Sequence, residues 1–173
     1  MKGTIVCCLR EFVTEKFGKK VWETAIEKAG LGKNTIFLAM ADVPDEVVLS
    51  VIANLCVLLD ITLEQAADAF GEYWCTVYAS GTYKSFFAGA HNSKDFLLGM
   101  DSVHEVTTKT MKNAKPPRFH YEEKGENIIV MTYVSERNLM PFLLGFIKGV
   151  GKYFGEELKL KTLSPNQIEI IFP

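Results

Sequence analysis

Three side chains that can bind acidic groups, Tyr133, Ser135 and Arg137, are each separated by one residue. In an extended strand alternate side chains point to the same face, so these three are expected to form a row, about 7 Å apart. Ile129 and Met131 add apolar surface upstream on that face. Two hydroxyls and a guanidinium suit a ligand with two separated carboxylates. Haem has this form, because it is an apolar macrocycle with two propionates at one edge.

A single histidine, His104, provides the second candidate group. It lies mid-helix on a mostly apolar face, where an unsatisfied polar group costs about 1–3 kcal/mol. One interpretation is a core histidine satisfied by a backbone carbonyl or by Tyr133, with the polar row as an exposed strand end. The other is an axial ligand of haem iron whose second ring nitrogen is held by a neighbouring group. The chain order favours the ligand, since Pro116-Pro117 follows as a rigid wall and the polar row comes next.

The composition indicates a globular domain and disfavours several classes of partner. Of 173 residues, 48% are hydrophobic and 23% are charged, which is typical of one folded domain. The 12 Phe, 6 Tyr and 2 Trp fit a large core or an apolar ligand cavity. A net charge of −2 argues against a nucleic-acid partner bound through phosphates and against a polybasic membrane anchor.

The cysteines and the apolar runs predict a cytoplasmic, soluble protein. No Cys-x-x-Cys pair is present, and no histidine has zinc-ligand spacing relative to the four cysteines, Cys7, Cys8, Cys56 and Cys75. We expect reduced thiols that pack as small apolar groups. No signal peptide is visible, and the longest apolar run, residues 47–59, is too short to span a bilayer.

The hydrophobic periodicity predicts an α+β fold in a single domain, residues 1–173. A helical N-terminal lobe, about residues 1–60, should precede a lobe of helices packed with a four-stranded antiparallel sheet, about residues 61–173. The predicted helices are 3–17, 20–29, 44–59, 62–77, 95–111 with Ser93 as its cap, and 138–154. The predicted strands are 118–123, 128–135, 158–163 and 167–172.

The combined motifs identify a family that the chain resembles. Tyr133, Ser135 and Arg137 match the Tyr-x-Ser-x-Arg signature of the H-NOX family, the haem–nitric oxide/oxygen binding domains related to the sensory domain of soluble guanylate cyclase. The residues 100–104, Met-Asp-Ser-Val-His, match its Met-Asp-x-x-His motif, and 116–118 match its Pro-Pro-Arg motif. The opening residues and the pair Phe70-Gly71 are also similar. The resemblance covers nearly the whole chain.

The resemblance implies a haem b group buried between the two lobes. His104 would be the iron ligand, while Tyr133, Ser135 and Arg137 would bind the propionates. Pro117 would press on the macrocycle, and Asp45 would brace Arg137. The remaining cavity lining implied by the resemblance is Ile5, Leu9, Trp74, Cys75, Tyr78, Met100, Val103, Phe142 and Phe146.

The resemblance also bears on the gas that would bind. Oxygen-binding members carry a hydrogen-bonding tyrosine nine positions after the signature tyrosine, and here that residue is Phe142. Trp74, Tyr73 and Tyr78 are expected to fill the pocket rather than donate to a ligand. The implied protein is a five-coordinate ferrous haem protein that binds nitric oxide and carbon monoxide and excludes oxygen.

No catalytic motif is evident, so we expect a stand-alone sensor rather than an enzyme. Nitric oxide would weaken the bond between iron and His104, freeing the histidine helix. The haem would then relax against Pro117 and Ile5, and one lobe would rotate against the other. The resemblance implies that a histidine kinase or a diguanylate cyclase/phosphodiesterase reads this change.

Three other functions fit parts of the pattern. An oxygen sensor would use the same haem site, and a haem-free module would bind an apolar small molecule in the same cavity. A haem enzyme such as a peroxidase usually needs a distal histidine or arginine. His91 and His120 are expected to be solvated and provide no such base.

Overall fold

A computed structural model describes all 173 residues and shows the α+β fold that the sequence predicts. Two compact units are present. One comprises Met1–Ala66 and Lys112–Lys115, and the other comprises Ala67–Met111 and Pro116–Pro173. No single helix is long and apolar enough to cross a membrane. One consecutive pair, Asp45–Leu59 with Leu63–Thr82, reaches that length and hydropathy when its members are counted together.

The first unit is built from three amphipathic helices, α1 Gly3–Phe17, α2 Lys19–Lys28 and α3 Asp45–Leu59. The bounds agree with the predicted helices to within one residue at each end. Gly18 ends α1 because its φ of 91° lies in the left-handed region that glycine adopts readily. The core between the helices includes fully buried Val13, Ile26 and Val51.

The fourth helix, α4 Leu63–Tyr73, begins after a capping box formed by Thr62 and Gln65. The Thr62 N–H donates to Gln65 Oε1 at 2.9 Å, and the Gln65 N–H donates to Thr62 Oγ1 at 3.2 Å. The prediction of a regular helix to residue 77 is wrong in one respect. The chain widens into a π-helix at Trp74–Tyr78, followed by short helices α5 Ala79–Thr82 and α6 Lys84–Ala88. Single π turns are frequent at functional sites.

The predicted helix 95–111 is two helices, α7 Ser93–Leu98 and α8 Met100–Thr108, separated at Gly99. The prediction of Ser93 as the cap is also wrong. The Asn92 side chain caps α7 by accepting a hydrogen bond from the Asp95 N–H at 2.8 Å, and Ser93 is buried inside the helix. Both outcomes follow from known preferences, since Asn is as good a cap as Ser and Gly is a poor helix former.

The sheet of the second unit contains β1 Arg118–Glu123, β2 Ile128–Val134, β3 Lys159–Ser164 and β4 Gln167–Ile171. The spatial order is β1-β2-β4-β3, and all neighbours are antiparallel. Helix α9, Met140–Phe154, connects β2 to β3. The sheet is held by a fully buried apolar layer that includes Ile129, Met131, Ile168 and Ile170.

Glycines allow α4 and α9 to meet backbone to backbone within the second unit. A Cβ atom on Gly145 would overlap the carbonyl of Ala67, and one on Gly71 would overlap the carbonyl of Gly145. Gly149 meets the carbonyl of Gly71 in the same way. This close approach brings the aromatic side chains of the two helices into contact, which positions part of the candidate site.

Gly145→Ala is therefore expected to lower the free energy of unfolding by about 1–3 kcal/mol, because the new methyl group meets backbone that has no rotamer to change. Gly81→Ala is the matched control, since no atom lies within 4 Å of a Cβ at that position. The control should be neutral or slightly stabilising. Denaturant titrations of the three proteins measure the effect, and equal midpoints for Gly145→Ala and the wild type would contradict it.

Candidate functional site

His104 lies on α8 with its imidazole largely buried in the second unit. Its ring packs on the ring of Phe119, with centroids 5.5 Å apart. Burial lowers the pKa of His104, and the Pro117 backbone and the Asp101 carboxylate only partly oppose this effect. Nδ1 is buried and has no hydrogen-bond partner. The side chain is thus a neutral imidazole with an unsatisfied nitrogen, and the neutral form is the one that binds metals.

Phe119 connects the histidine to the predicted polar row. It is paired directly with Tyr133 across β1 and β2, and the two rings are stacked with centroids 5.9 Å apart. His104, Phe119 and Tyr133 therefore form a continuous series of ring contacts. The sequence analysis missed Phe119, although its position opposite Tyr133 in the predicted hairpin is a signal that could have identified it.

The predicted strand 128–135 ends one residue early, at Val134, so Ser135 and Arg137 lie beyond β2. A turn follows, in which the Arg137 N–H donates to Ser135 Oγ at 3.2 Å. Serine hydroxyls commonly form such local turns in competition with strand pairing. The alternation of faces nevertheless continues, since the exposed residues are those between the predicted ones, Val134, Glu136 and Asn138. Tyr133 is buried, and Ser135 and Arg137 are half-buried.

Asp101 joins the first turn of α8 to β1. Arg118 donates from Nε to Oδ1 at 2.8 Å and from Nη2 to Oδ2 at 2.6 Å, and the Phe119 N–H donates to Oδ1 at 2.9 Å. The Arg118 hydrogen bonds are the main reason that the pKa of Asp101 falls to about 2, since burial acts in the opposite direction. The sequence motifs contained both residues, but their pairing was not predicted.

An aromatic cluster, defined as Phe70, Trp74, Tyr78, Phe142 and Phe146, occupies the junction of α4, the π-helix and α9. Trp74 is stacked on Tyr78, with centroids 5.4 Å apart, and meets Phe146 edge-on at 5.9 Å. Phe70 contacts both Phe142 and Phe146, at 6.3 and 5.9 Å. The structure thus brings together four of the predicted lining residues and adds Phe70.

Cys75 lies in the π-helix and is buried. Its thiol donates to the Phe146 carbonyl, with Sγ 3.6 Å from the oxygen. Burial raises the pKa of this thiol to about 12, so it is protonated at neutral pH. The geometry fits the predicted packing role.

The other predicted residues lie in both units. Met100 and Val103 are half-buried on α8, and Pro117 is half-buried immediately before β1. Ile5 and Leu9 lie on α1 in the first unit, half-buried and buried respectively. Asp45, also in the first unit, accepts a hydrogen bond from the Met1 ammonium group, so its pairing with Arg137 stays a prediction. His91 and His120 are both exposed, as expected.

The chemistry of these residues fits haem. His104 provides a buried neutral imidazole with an unsatisfied nitrogen, which is the donor that haem iron needs on one side. The phenol of Tyr133, the hydroxyl of Ser135 and the guanidinium of Arg137 lie within one stretch of five residues, and these groups suit the propionates. Apolar and aromatic side chains supply the rest of the second unit's predicted lining.

Comparisons with known proteins agree with this chemistry. A sequence model described as haem-NO-binding matches residues 2–162. Soluble guanylate cyclase gcy-37 of Caenorhabditis elegans is 25% identical over 174 residues, which cover 96% of this chain and 24% of that protein. Soluble guanylate cyclase gcy-35 of the same organism is 23% identical over 172 residues, 96% of this chain and 25% of that protein. The chain therefore spans about a quarter of the length of these curated relatives.

Solved structures match over almost the full length. An oxygen-binding H-NOX domain related to soluble guanylate cyclases, in its oxygen complex, has a TM-score of 0.87 and 27% identity, covering 99% of this chain and 95% of that one. A Cs H-NOX mutant with an unnatural amino acid has a TM-score of 0.88 and 26% identity, covering 99% and 96%. A mutant of T. Tengcongensis H-NOX has a TM-score of 0.85 and 25% identity, covering 99% and 97%.

Cys75 is expected to resist alkylation in the folded protein, because a buried thiol with a raised pKa provides almost no thiolate. Iodoacetamide at pH 8 should label half-buried Cys56 before Cys75, and Cys75 should react only after denaturant is added. Mass spectrometry of timed samples gives the order. Labelling of Cys75 as fast as Cys56 under native conditions would contradict the assigned burial.

Asp101 is expected to stabilise the fold in a pH-dependent way. Its pKa is about 2 when folded and near the ordinary 3.8 when unfolded, so the contribution is present above about pH 4 and is lost as pH falls through 2. Since the side chain is 24% exposed, we expect on the order of 1 kcal/mol after screening. Denaturant titrations of wild type and Asp101→Asn should differ at pH 7 and converge towards pH 2. A difference that is constant with pH would exclude the ion pair as its source.

Proposed function

The chain belongs to the haem-NO-binding family, and on that premise we propose that it senses nitric oxide at a ferrous haem held by His104. The match over residues 2–162 identifies it as an H-NOX haem-based gas sensor domain related to the haem domain of soluble guanylate cyclase. The choice of gas, the signal and the partner are the proposal. The observation that carries it is the buried, neutral imidazole of His104 with its unsatisfied nitrogen.

The residues that would hold the group come from distinct elements. His104 on α8 would bind the iron, and Tyr133, Ser135 and Arg137 at the end of β2 would bind the propionates of haem b. Pro117, which directly precedes β1, would contact the macrocycle. When bound, ferrous haem would supply an iron atom that can bind a diatomic gas.

The aromatic cluster supports nitric oxide as the gas. Bound oxygen is polarised and is stabilised by a hydrogen-bond donor, whereas nitric oxide binds ferrous iron strongly without one. Phe142 has no hydroxyl, and its ring is engaged with Phe70. Trp74 and Tyr78 are stacked on each other, and the nearby Cys75 thiol already donates to Phe146. Nitric oxide and carbon monoxide are therefore the proposed ligands, and oxygen is excluded.

The signal would begin at His104. Loss of the tie between His104 and the iron would remove one restraint on α8, a helix in which no residue is fully buried. The position of α8 would then differ between the liganded and unliganded protein, and a partner would bind one position better than the other. We propose a histidine kinase or a cyclic-di-GMP enzyme as that partner.

We also propose a cytoplasmic location, which suits four free cysteines.

Absorption spectra provide the first test. The purified ferrous protein should show a Soret band that moves on adding nitric oxide or carbon monoxide and does not change in air. A colourless protein that takes up no added haem would support an apolar small-molecule module instead. A stable oxygen complex in air would replace nitric oxide with oxygen in the proposal.

Phe142→Tyr is expected to add oxygen affinity, because its hydroxyl supplies the missing donor. Phe142→Leu is the matched control, since it changes the ring without adding a donor. Absorption spectra recorded in air should show an oxygen complex only for the tyrosine variant. Equal behaviour of the two variants would mean that position 142 does not face the gas.

His104→Gly is expected to reproduce the signalling state of the nitric oxide complex, because it removes the tie between iron and α8. Free imidazole added to this variant should restore haem binding without restoring the tie. His120→Ala, at an exposed position on β1, is the control and should leave the spectrum unchanged. The proposal fails if His104→Gly with imidazole acts on the partner like the unliganded wild type.

A further inference from the structure

We propose that Asp101 is a positioning residue that sets how readily His104 is released when a gas binds. This inference rests on the proposed function and specifies the regulation of the same site. Asp101 and His104 are three residues apart on α8, so their side chains lie on the same side of the helix. A restraint on Asp101 is therefore a restraint on the histidine.

The restraint is strong and directional. Both carboxylate oxygens of Asp101 accept hydrogen bonds, two from the Arg118 guanidinium and one from the Phe119 N–H. The bidentate pairing fixes orientation as well as distance, because the guanidinium is planar and presents two parallel donors. Phe119 also packs its ring on the His104 imidazole. One strand residue thus contacts both the acid and the histidine.

Little else competes with this restraint. No residue of α8 is fully buried, and Val106 is 62% exposed. Gly99 separates α8 from α7, so the two helices do not form one rigid rod. The polar contacts of Asp101 are consequently a large part of what holds the first turn of α8 against β1.

The test uses haem-loaded protein and three variants. Asp101→Asn and Arg118→Gln each remove the charged pair. Asp68→Asn is the matched control, because it breaks another surface ion pair of the second unit, with Lys148 at 2.5 Å. Resonance Raman spectra of the unliganded ferrous proteins report the iron–histidine stretch. Absorption spectra of the nitric oxide complexes report the ratio of histidine-released to histidine-bound protein.

Asp101→Asn and Arg118→Gln should shift the iron–histidine stretch and raise the released-to-bound ratio by roughly 5- to 30-fold. Asp68→Asn should match the wild type. If Asp101→Asn does not retain haem, the spectra of Arg118→Gln alone test the inference. The Arg118 side chain is 51% exposed, so its loss leaves no cavity.

Two results would overturn the inference while leaving the proposed function intact. One is a nitric oxide-responsive wild type whose Asp101 and Arg118 variants have unchanged spectra. The other is a control, Asp68→Asn, that shifts as much as Asp101→Asn. A wild type with no haem or no gas response would instead refute the proposed function.

Discussion

Burial of one uncharged imidazole is the interaction on which the second unit's chemistry depends. Phe119 packs on the His104 ring, and burial lowers the pKa of the imidazole, so the ring is neutral. Its buried Nδ1 has no hydrogen-bond partner. Such a group is costly in an ordinary core. It is well suited to a metal, which replaces the missing hydrogen bond. The same burial that destabilises the histidine alone prepares it as a ligand.

The backbone contact between α4 and α9 positions the aromatic cluster of the candidate site. Gly71 and Gly145 let the helices approach until carbonyls occupy the space of a Cβ, and the large side chains beside them are forced to interlock. The contacts among the large side chains therefore depend on the small residues beside them, which let the two helices approach. The π-helix adjoins this contact and directs Trp74 towards Phe146.

Much of this arrangement could be predicted from the sequence, because periodicity and turn residues dominate it. The bounds of α1 and β1 agree with the predictions. The end of β2 at Val134 was not predicted, because a local hydrogen bond from the Arg137 N–H to Ser135 Oγ competes there with continuation of the strand. The break at Gly99 was missed, although glycine is a poor helix former. The pairing of Asp101 with Arg118 depends on tertiary proximity, which spacing along the chain does not encode.

The order of the sheet has a consequence for how other chains can approach it. Its two borders are β1 and β3, and each presents charged side chains to solvent, Arg118 and Glu122 on one and Lys159 and Lys161 on the other. Charged borders oppose the addition of a foreign strand, and with it the growth of fibrous aggregates. Main-chain pairing of another protein along either border is therefore disfavoured.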